Sequence, residues 1–242
     1  MKKIIVAILF LILYSCNSEY EIQDEDVYYR FWSFEQGGWN DLILENADVK
    51  SFKTINTKDN LYGKDSIYVY FNNKIVPGAD PQTFKYISNG YAIDKNRAYY
   101  YSDSITKSSS KGFEIINSDF SKNKDNVFYK TKPLEVCSVD SFHFVFPDKD
   151  NPLGRWSTDG CFYYYNNYKV PSKDYENIII YRGSGGISRD NQLVYKLDKN
   201  YFDTNTRTVF VKEKGVIVKD TIDIKTFTVV KGKLKDKFGN IN

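Results

Sequence analysis

The chain contains a single histidine, His143, and that scarcity removes a large class of chemistry. Nucleophilic hydrolases built on Ser-His-Asp or Cys-His need a histidine held by an orienting carboxylate. His143 lies in an alternating, strand-like run, DSFHFV, and its nearest acid, Asp140, is three positions away, on the opposite face of a strand. No such triad is expected. Cysteine is almost as sparse: Cys16, Cys137 and Cys161 have none of the short paired spacings that zinc requires, so no metal is expected there. No basic stripe is present, which argues against nucleic acid as a partner. The longest uninterrupted apolar run, Ile4 to Leu13, is about half the length a helix needs to cross a bilayer.

That run nevertheless has a meaning. Lys2 and Lys3 precede it and Tyr14-Ser15-Cys16 follows it, the layout of a targeting segment. Leu13-Tyr14-Ser15-Cys16 resembles the lipobox of bacterial lipoproteins, in which the leader is cut before the cysteine and the thiol carries lipid. The resemblance implies a leader over 1–15, lipid on Cys16, and a body held at a membrane of the cell envelope, expected to be the outer membrane on its periplasmic or surface face. Ordinary secretion is the other reading of the same leader. Without Lys2 and Lys3 the 34 basic residues fall to 32 against 31 acidic ones, so the exported body is close to neutral. Residues 19–26, EYEIQDED, hold five carboxylates and no base, and read as a solvated tether over 16–26. An acidic tract of this kind also loosely resembles a surface-export signal behind a lipoprotein cysteine.

The body repeats itself. One phrase recurs as Asp26-Val-Tyr-Tyr, Asp65-Ser-Ile-Tyr-Val-Tyr, Asp94-Lys-Asn-Arg-Ala-Tyr-Tyr, Asp125-Asn-Val-Phe-Tyr, Asp159-Gly-Cys-Phe-Tyr-Tyr and Asp190-Asn-Gln-Leu-Val-Tyr. A second phrase alternates with it: Asp48-Val-Lys-Ser-Phe, Asp80-Pro-Gln-Thr-Phe, Asp140-Ser-Phe, Asp174-Tyr-Glu-Asn-Ile and Asp223-Ile-Lys-Thr-Phe. Asp and Asn form tight turns by bonding their own backbone, and the β-branched and aromatic residues behind them favour half-buried strands. Asp80-Pro81 reads as a capped corner. Such a period predicts an all-β body of tandem short antiparallel hairpins with capped turns, about six units over 27–230, followed by a polar basic tail over 231–242. An elongated array is the favoured arrangement. Propeller-like closure is the alternative, disfavoured because four-strand blades take about 40 residues or more.

Asp94-Lys95-Asn96-Arg97-Ala98-Tyr99-Tyr100, with Val76-Pro-Gly-Ala-Asp-Pro-Gln-Thr-Phe before it, resembles the DKNYY repeat family of bacterial exported proteins. The likeness is strongest over about 62–130 and brings no catalytic residues with it. Copies near 26, 159 and 190 lack the lysine, and Thr206-Arg-Thr-Val-Phe-Val marks an insertion or an extra hairpin. Tyrosine covers much apolar area while its hydroxyl reaches water, which suits thin sheets. In Tyr99-Tyr100-Tyr101 the first and third rings should share a face. Cys161, aligned with Ile67, Ala98 and Val127, favours a small buried role; a Cys137–Cys161 disulfide is the alternative in an oxidising compartment.

The remaining chemistry is thin. Acidic and amide side chains cluster at corners, yet no stretch keeps a calcium loop, and Asp148 with Asp150 is the first place such a site would sit. Arg182-Gly-Ser-Gly-Gly186 lacks the following helix of a phosphate loop and reads as a hinge between units. Trp32, Trp39 and Trp156 fall at irregular points of the pattern, so they rank ahead of the repeated tyrosines as contact residues, although core packing is the commoner fate of each. The sequence therefore points to a lipid-anchored, non-enzymatic binding scaffold, with no cofactor and with an envelope protein or glycan as its partner. A polysaccharide hydrolase using a carboxylate pair is the rival.

Overall fold

The computed structural model describes residues 19–55, 61–146, 155–182, 186–192, 194–197, 208–211, 216–219, 223, 225–231 and 233–241. Among them there is no α-helix, and the strands form seven small antiparallel sheets, none closed into a barrel. The first sheet contains β1 (Glu19–Gln23), β2 (Asp26–Ser33) and β3 (Gly38–Ile43). Four meanders of four strands follow. They are β4 (Lys53–Ile55), β5 (Tyr62–Lys64), β6 (Val69–Phe71) and β7 (Lys74–Ile75); β8 (Lys85–Ser88), β9 (Tyr91–Ile93), β10 (Ala98–Tyr100) and β11 (Asp103–Ser104); β12 (Glu114–Ile115), β13 (Phe120–Lys122), β14 (Val127–Tyr129) and β15 (Lys132–Leu134); and β16 (His143–Phe144), β17 (Trp156–Thr158), β18 (Tyr163–Tyr165) and β19 (Tyr168–Lys169). The sixth sheet has β20 (Ile179–Ile180), β21 (Ile187–Arg189) and β22 (Val194–Leu197), extended by the hairpin β23 (Thr208–Val211) and β24 (Val216–Lys219) in the order β20-β21-β22-β24-β23. The extra hairpin accounts for the irregular segment over its described part, Thr208–Val211. The seventh sheet is β25 (Thr228–Val230), β26 (Lys233–Asp236) and β27 (Gly239–Ile241).

The tandem hairpins are thus one recipe with fixed and variable parts. Between the second and third strands the connection is four residues in five successive sheets, and between the third and fourth it is two residues in the four meanders. Between the first and second it ranges from two residues, 89–90, to eleven, 145–155. The two-residue turn needs a left-handed first residue, and Asn72, Tyr101, Lys130 and Asn166 all have φ between 52° and 55° there. Tyr101 is therefore a turn residue outside its strand: Tyr99 is buried and Tyr101 exposed, so the two do not share a strand face as their spacing suggests.

Burial follows the same register. Tyr62, Tyr91, Phe120, Trp156 and Ile187 open the second strands and are all buried. Behind each comes a small buried residue: Gly63, Ala92, Ser121, Ser157 and Ser188. A Cβ on Gly63 would stand 2.5 Å from Cζ of Phe52, which is why nothing larger fits.

The chain divides into two compact units, one holding residues up to Ser88 with 92–95 and 101–104, the other 89–91, 96–100 and everything from Ile105. In the first unit Val27, Tyr29, Leu44, Phe52 and Tyr70 form a common core between the first two sheets. In the second, Tyr164 of β18 packs with Phe120, Val127 and Leu134 of the preceding sheet. Tyr195 of β22 does the same with Trp156, Tyr165 and Val170, and Phe227 with Ile187 and Val194. Within each unit these neighbouring copies share a core, as repeats do.

Three expectations are corrected. The acidic stretch 19–26 is not a spacer, because Glu19–Gln23 pairs residue for residue with Asp26–Arg30 and Tyr20 packs on Tyr29 and Phe52. The stretch 231–242 is not a free tail, since it carries β26 and β27. The segment 182–186 joins two strands that pair with each other, β20 and β21, so it lies within one sheet and not between two.

Candidate functional site

Acidic side chains make the repeats work, and their geometry decides what they can do. The buried acids Asp65, Asp94, Asp159 and Asp190 stand five residues before a buried tyrosine, respectively Tyr70, Tyr99, Tyr164 and Tyr195. Asp65 Oδ1 accepts the N–H groups of Ile67 and Tyr68 at 2.7 and 2.6 Å, closing its own turn. Its Oδ2 accepts the N–H of Asp48, in the linker before the sheet, at 3.0 Å and the Tyr70 hydroxyl at 2.9 Å. Asp159 repeats the arrangement with Cys161, Phe162, Cys137 and Tyr164, and Asp190 with Gln192, Ser172 and Tyr195. Burial raises the pKa of Asp65 and of Asp159, but the inward-pointing N–H groups and the tyrosine hydroxyl outweigh it and hold both below the ordinary carboxyl range. Burial, and then the carboxylate beside it, drives Tyr70 the other way, well above the usual phenol range. In the fourth sheet the acid is Asn123 and the position five further on is Phe128: where the charge is absent, so is the hydroxyl. Asn123 keeps only the turn, accepting from Asp125 and Asn126.

The residue after each acid reads the linker. Lys95 forms an ion pair with Asp80 and Lys237 one with Asp223, while Asn191 donates to Asp174 at 3.2 Å and Ser66 to Asp48 at 3.4 Å. At the fifth sheet the linker offers Ser138 and the turn offers Gly160, and the joint is covalent: Cys137 and Cys161 form a disulfide. The buried-thiol expectation for Cys161 is thereby corrected. Cys161 sits two residues after Asp159, level with Ile67 and Asn96 and exposed, two positions short of the Ala98 and Val127 level. Cys137, Cys161 and Asp159 lie close enough to resemble a metal site, but the sulfurs are spent on each other. Asp148 and Asp150 lie outside the described residues.

The three tryptophans separate. Trp156 opens β17, the same place as Tyr62 and Phe120, and is only 6% exposed; its contact role is corrected to core. Trp32 and Trp39 are brought together as a directly opposed cross-strand pair of β2 and β3, edge to face, with ring centroids 5.8 Å apart. They are 36% and 46% exposed, and Phe34 in the adjoining loop is 89% exposed. Strand alternation puts Trp32 on the face of Tyr28 and Arg30, opposite the face on which Val27 and Tyr29 enter the core. Next to the tryptophans, Arg30 is clamped between Glu21 at 2.6 Å and Asp41 at 2.7 Å. Hydrogen bonding to Asp41 raises the Arg30 pKa and lowers that of Asp41, so this pair is held in its ionised form. Phe34, unremarked by its place in the pattern, was detectable only as an apolar residue in a loop rich in Glu, Gln and Gly. His143 is exposed, with Nδ1 2.9 Å from the Ser141 carbonyl.

A family model, the DKNYY family, matches residues 20–168, more than half of the chain. The chain belongs to the DKNYY family. The matched span runs from β1 to the start of β19 and so takes in the first five sheets. No curated protein and no solved structure matches the chain.

Proposed function

We propose that this DKNYY-family chain is a membrane-anchored bacterial lipoprotein, lipidated on Cys16 and located at the outer membrane, whose repeat-built body acts as a non-enzymatic binding scaffold. The observation that carries the binding role is the exposed Trp32–Trp39 pair. Most aromatics at the repeated positions, among them Tyr62, Tyr70, Tyr99, Phe128 and Tyr164, are spent on internal packing, whereas these two rings stand in water as an opposed pair with Phe34 beside them. The leader sequence supports the anchor, and the Cys137–Cys161 disulfide fits an exported, oxidising compartment. The hydrolase reading finds little support, because the buried acids Asp65, Asp159 and Asp190 have both oxygens engaged by their own turn and linker. A carboxylate so engaged is a poor proton donor or nucleophile.

The test is capture from an envelope extract that retains lipid, glycan and protein, using the tagged mature chain and its Trp32→Ala/Trp39→Ala variant. A component held by the first and lost by the second supports the scaffold role. Equal capture by both, or turnover of envelope polysaccharide by the purified chain, refutes it.

A further inference from the structure

The exposed aromatic residues Trp32, Phe34 and Trp39 crowd one end of the first sheet, the end where β2 turns into β3, while the exposed aliphatics Ile22, Leu42 and Ile43 lie toward the other. Behind them across the same face runs a charged belt, Glu21–Arg30–Asp41, with Glu19 beside it. This end of the sheet therefore carries an aromatic tip followed by a belt of charge.

The register fixes where the chain enters. β1 is antiparallel to β2, and its first residue, Glu19, stands opposite Arg30. The N-terminal end of β1 thus lies at the same end of the sheet as the aromatic tip, which begins two residues beyond Arg30, about 7 Å along the strand. Only residues 17 and 18 separate Glu19 from Cys16, and three backbone steps reach at most about 11 Å. An acyl group on Cys16 has no room to hold that end of the sheet away from the bilayer.

We infer that the partner of the Trp32–Trp39 face is the lipid surface itself: the tip seats in the headgroup layer and orients the first sheet on the membrane that carries its anchor. Tryptophan prefers this layer, where its ring meets acyl chains and its N–H meets water. The charged belt stands where it stays hydrated, and Glu35 in the loop is exposed and free to remain among the headgroups. The lipid supplies attachment and the aromatic tip supplies orientation, a division of labour typical of anchors that use two signals. This inference rests on lipidation of Cys16.

The experiment reconstitutes the full mature chain, purified from membranes in detergent, into phosphatidylethanolamine–phosphatidylglycerol vesicles whose acyl chains are brominated near the headgroup. Contact quenches and blue-shifts tryptophan emission. The expected result is loss of the Trp32 and Trp39 emission in brominated relative to plain vesicles, and no such loss in Trp32→Phe/Trp39→Phe, which leaves only the buried Trp156 to emit. Undiminished emission from the wild-type chain overturns the inference. So does emission that responds to soluble glycan fragments or to a purified envelope protein while lipid leaves it unchanged. Palmitate labelling, abolished by Cys16→Ser, is scored separately: an unlabelled wild-type chain removes the lipoprotein reading, whereas a labelled chain without quenching removes only the seating of the tip.

Discussion

Replacing Tyr70 by Phe and Asp65 by Asn, singly and together, tests whether acid and hydroxyl act as one unit. Tyr70→Phe deletes one of four hydrogen bonds to a buried carboxylate. Bonds to charged groups contribute about 1.5–3 kcal/mol, and because three donors remain the loss should lie near the lower figure. Asp65→Asn keeps the turn through Oδ1 but sets an amide N–H₂ against two donors, the Asp48 N–H and the Tyr70 hydroxyl. That costs about 3 kcal/mol. In the double variant the hydroxyl is gone, leaving the combination already present as Asn123 and Phe128. Its cost should fall short of the sum of the singles by about 1 kcal/mol or more. Urea unfolding followed by circular dichroism measures all three. Costs that add to within about 0.4 kcal/mol would refute the pairing. The pH dependence has a definite sign. The folded pKa of Asp65 is depressed, so its contribution is complete above the unfolded value of about 3.9 and is lost as pH falls through the lower folded value. Asp65→Asn should therefore lose stability at neutral pH while declining less steeply in acid than the wild type.

Three further outcomes are expected. Replacing Cys137 and Cys161 together by alanine should lower stability by about 3 kcal/mol, from the 24-residue separation they close, and alkylation without reductant should find neither thiol in the wild type. Ser157→Ala should be neutral or stabilising by up to about 1 kcal/mol in thermal melts, because the buried Ser157 Oγ has no hydrogen-bond partner among the described residues. Gly63→Ala should cost about 1–3 kcal/mol through collision with the Phe52 ring, and Phe52→Leu in the same chain should restore part of it.

The fold was legible in the sequence because the repeat writes a conformationally special residue at each corner. Asp at the turn, Asp-x-x-Ser or Asp-x-x-Thr at the linker and aromatics between them fix strand positions almost without help from tertiary structure. Even the acid–tyrosine pairing is visible as a spacing of five, with the Asn123–Phe128 exception as its control. Composition misled at both ends. The alternation in Glu19-Tyr20-Glu21-Ile22-Gln23 is that of a strand with charge outward, but five carboxylates mask it. Asp236-Lys237 is a turn copy hidden among lysines, and Phe238 donates its N–H to Asp236 at 2.9 Å just as the other copies do. The disulfide was hidden for a different reason. Its partners meet because Asp159 draws the Cys137 N–H onto its carboxylate, a contact across 22 residues that no local pattern announces. Likewise Trp32 and Trp39 look unrelated until the hairpin register sets them opposite each other.

That two of the three connections keep a constant length and one does not has a consequence for how such a chain can change. The carboxylate fastens its corner to the linker, so the stretch between first and second strands is bypassed by the fastening and is free to vary from two residues to eleven. Growth at that one seam leaves the stitching on either side intact, and new sequence, from a peptide tag to a whole inserted module, is best spliced there.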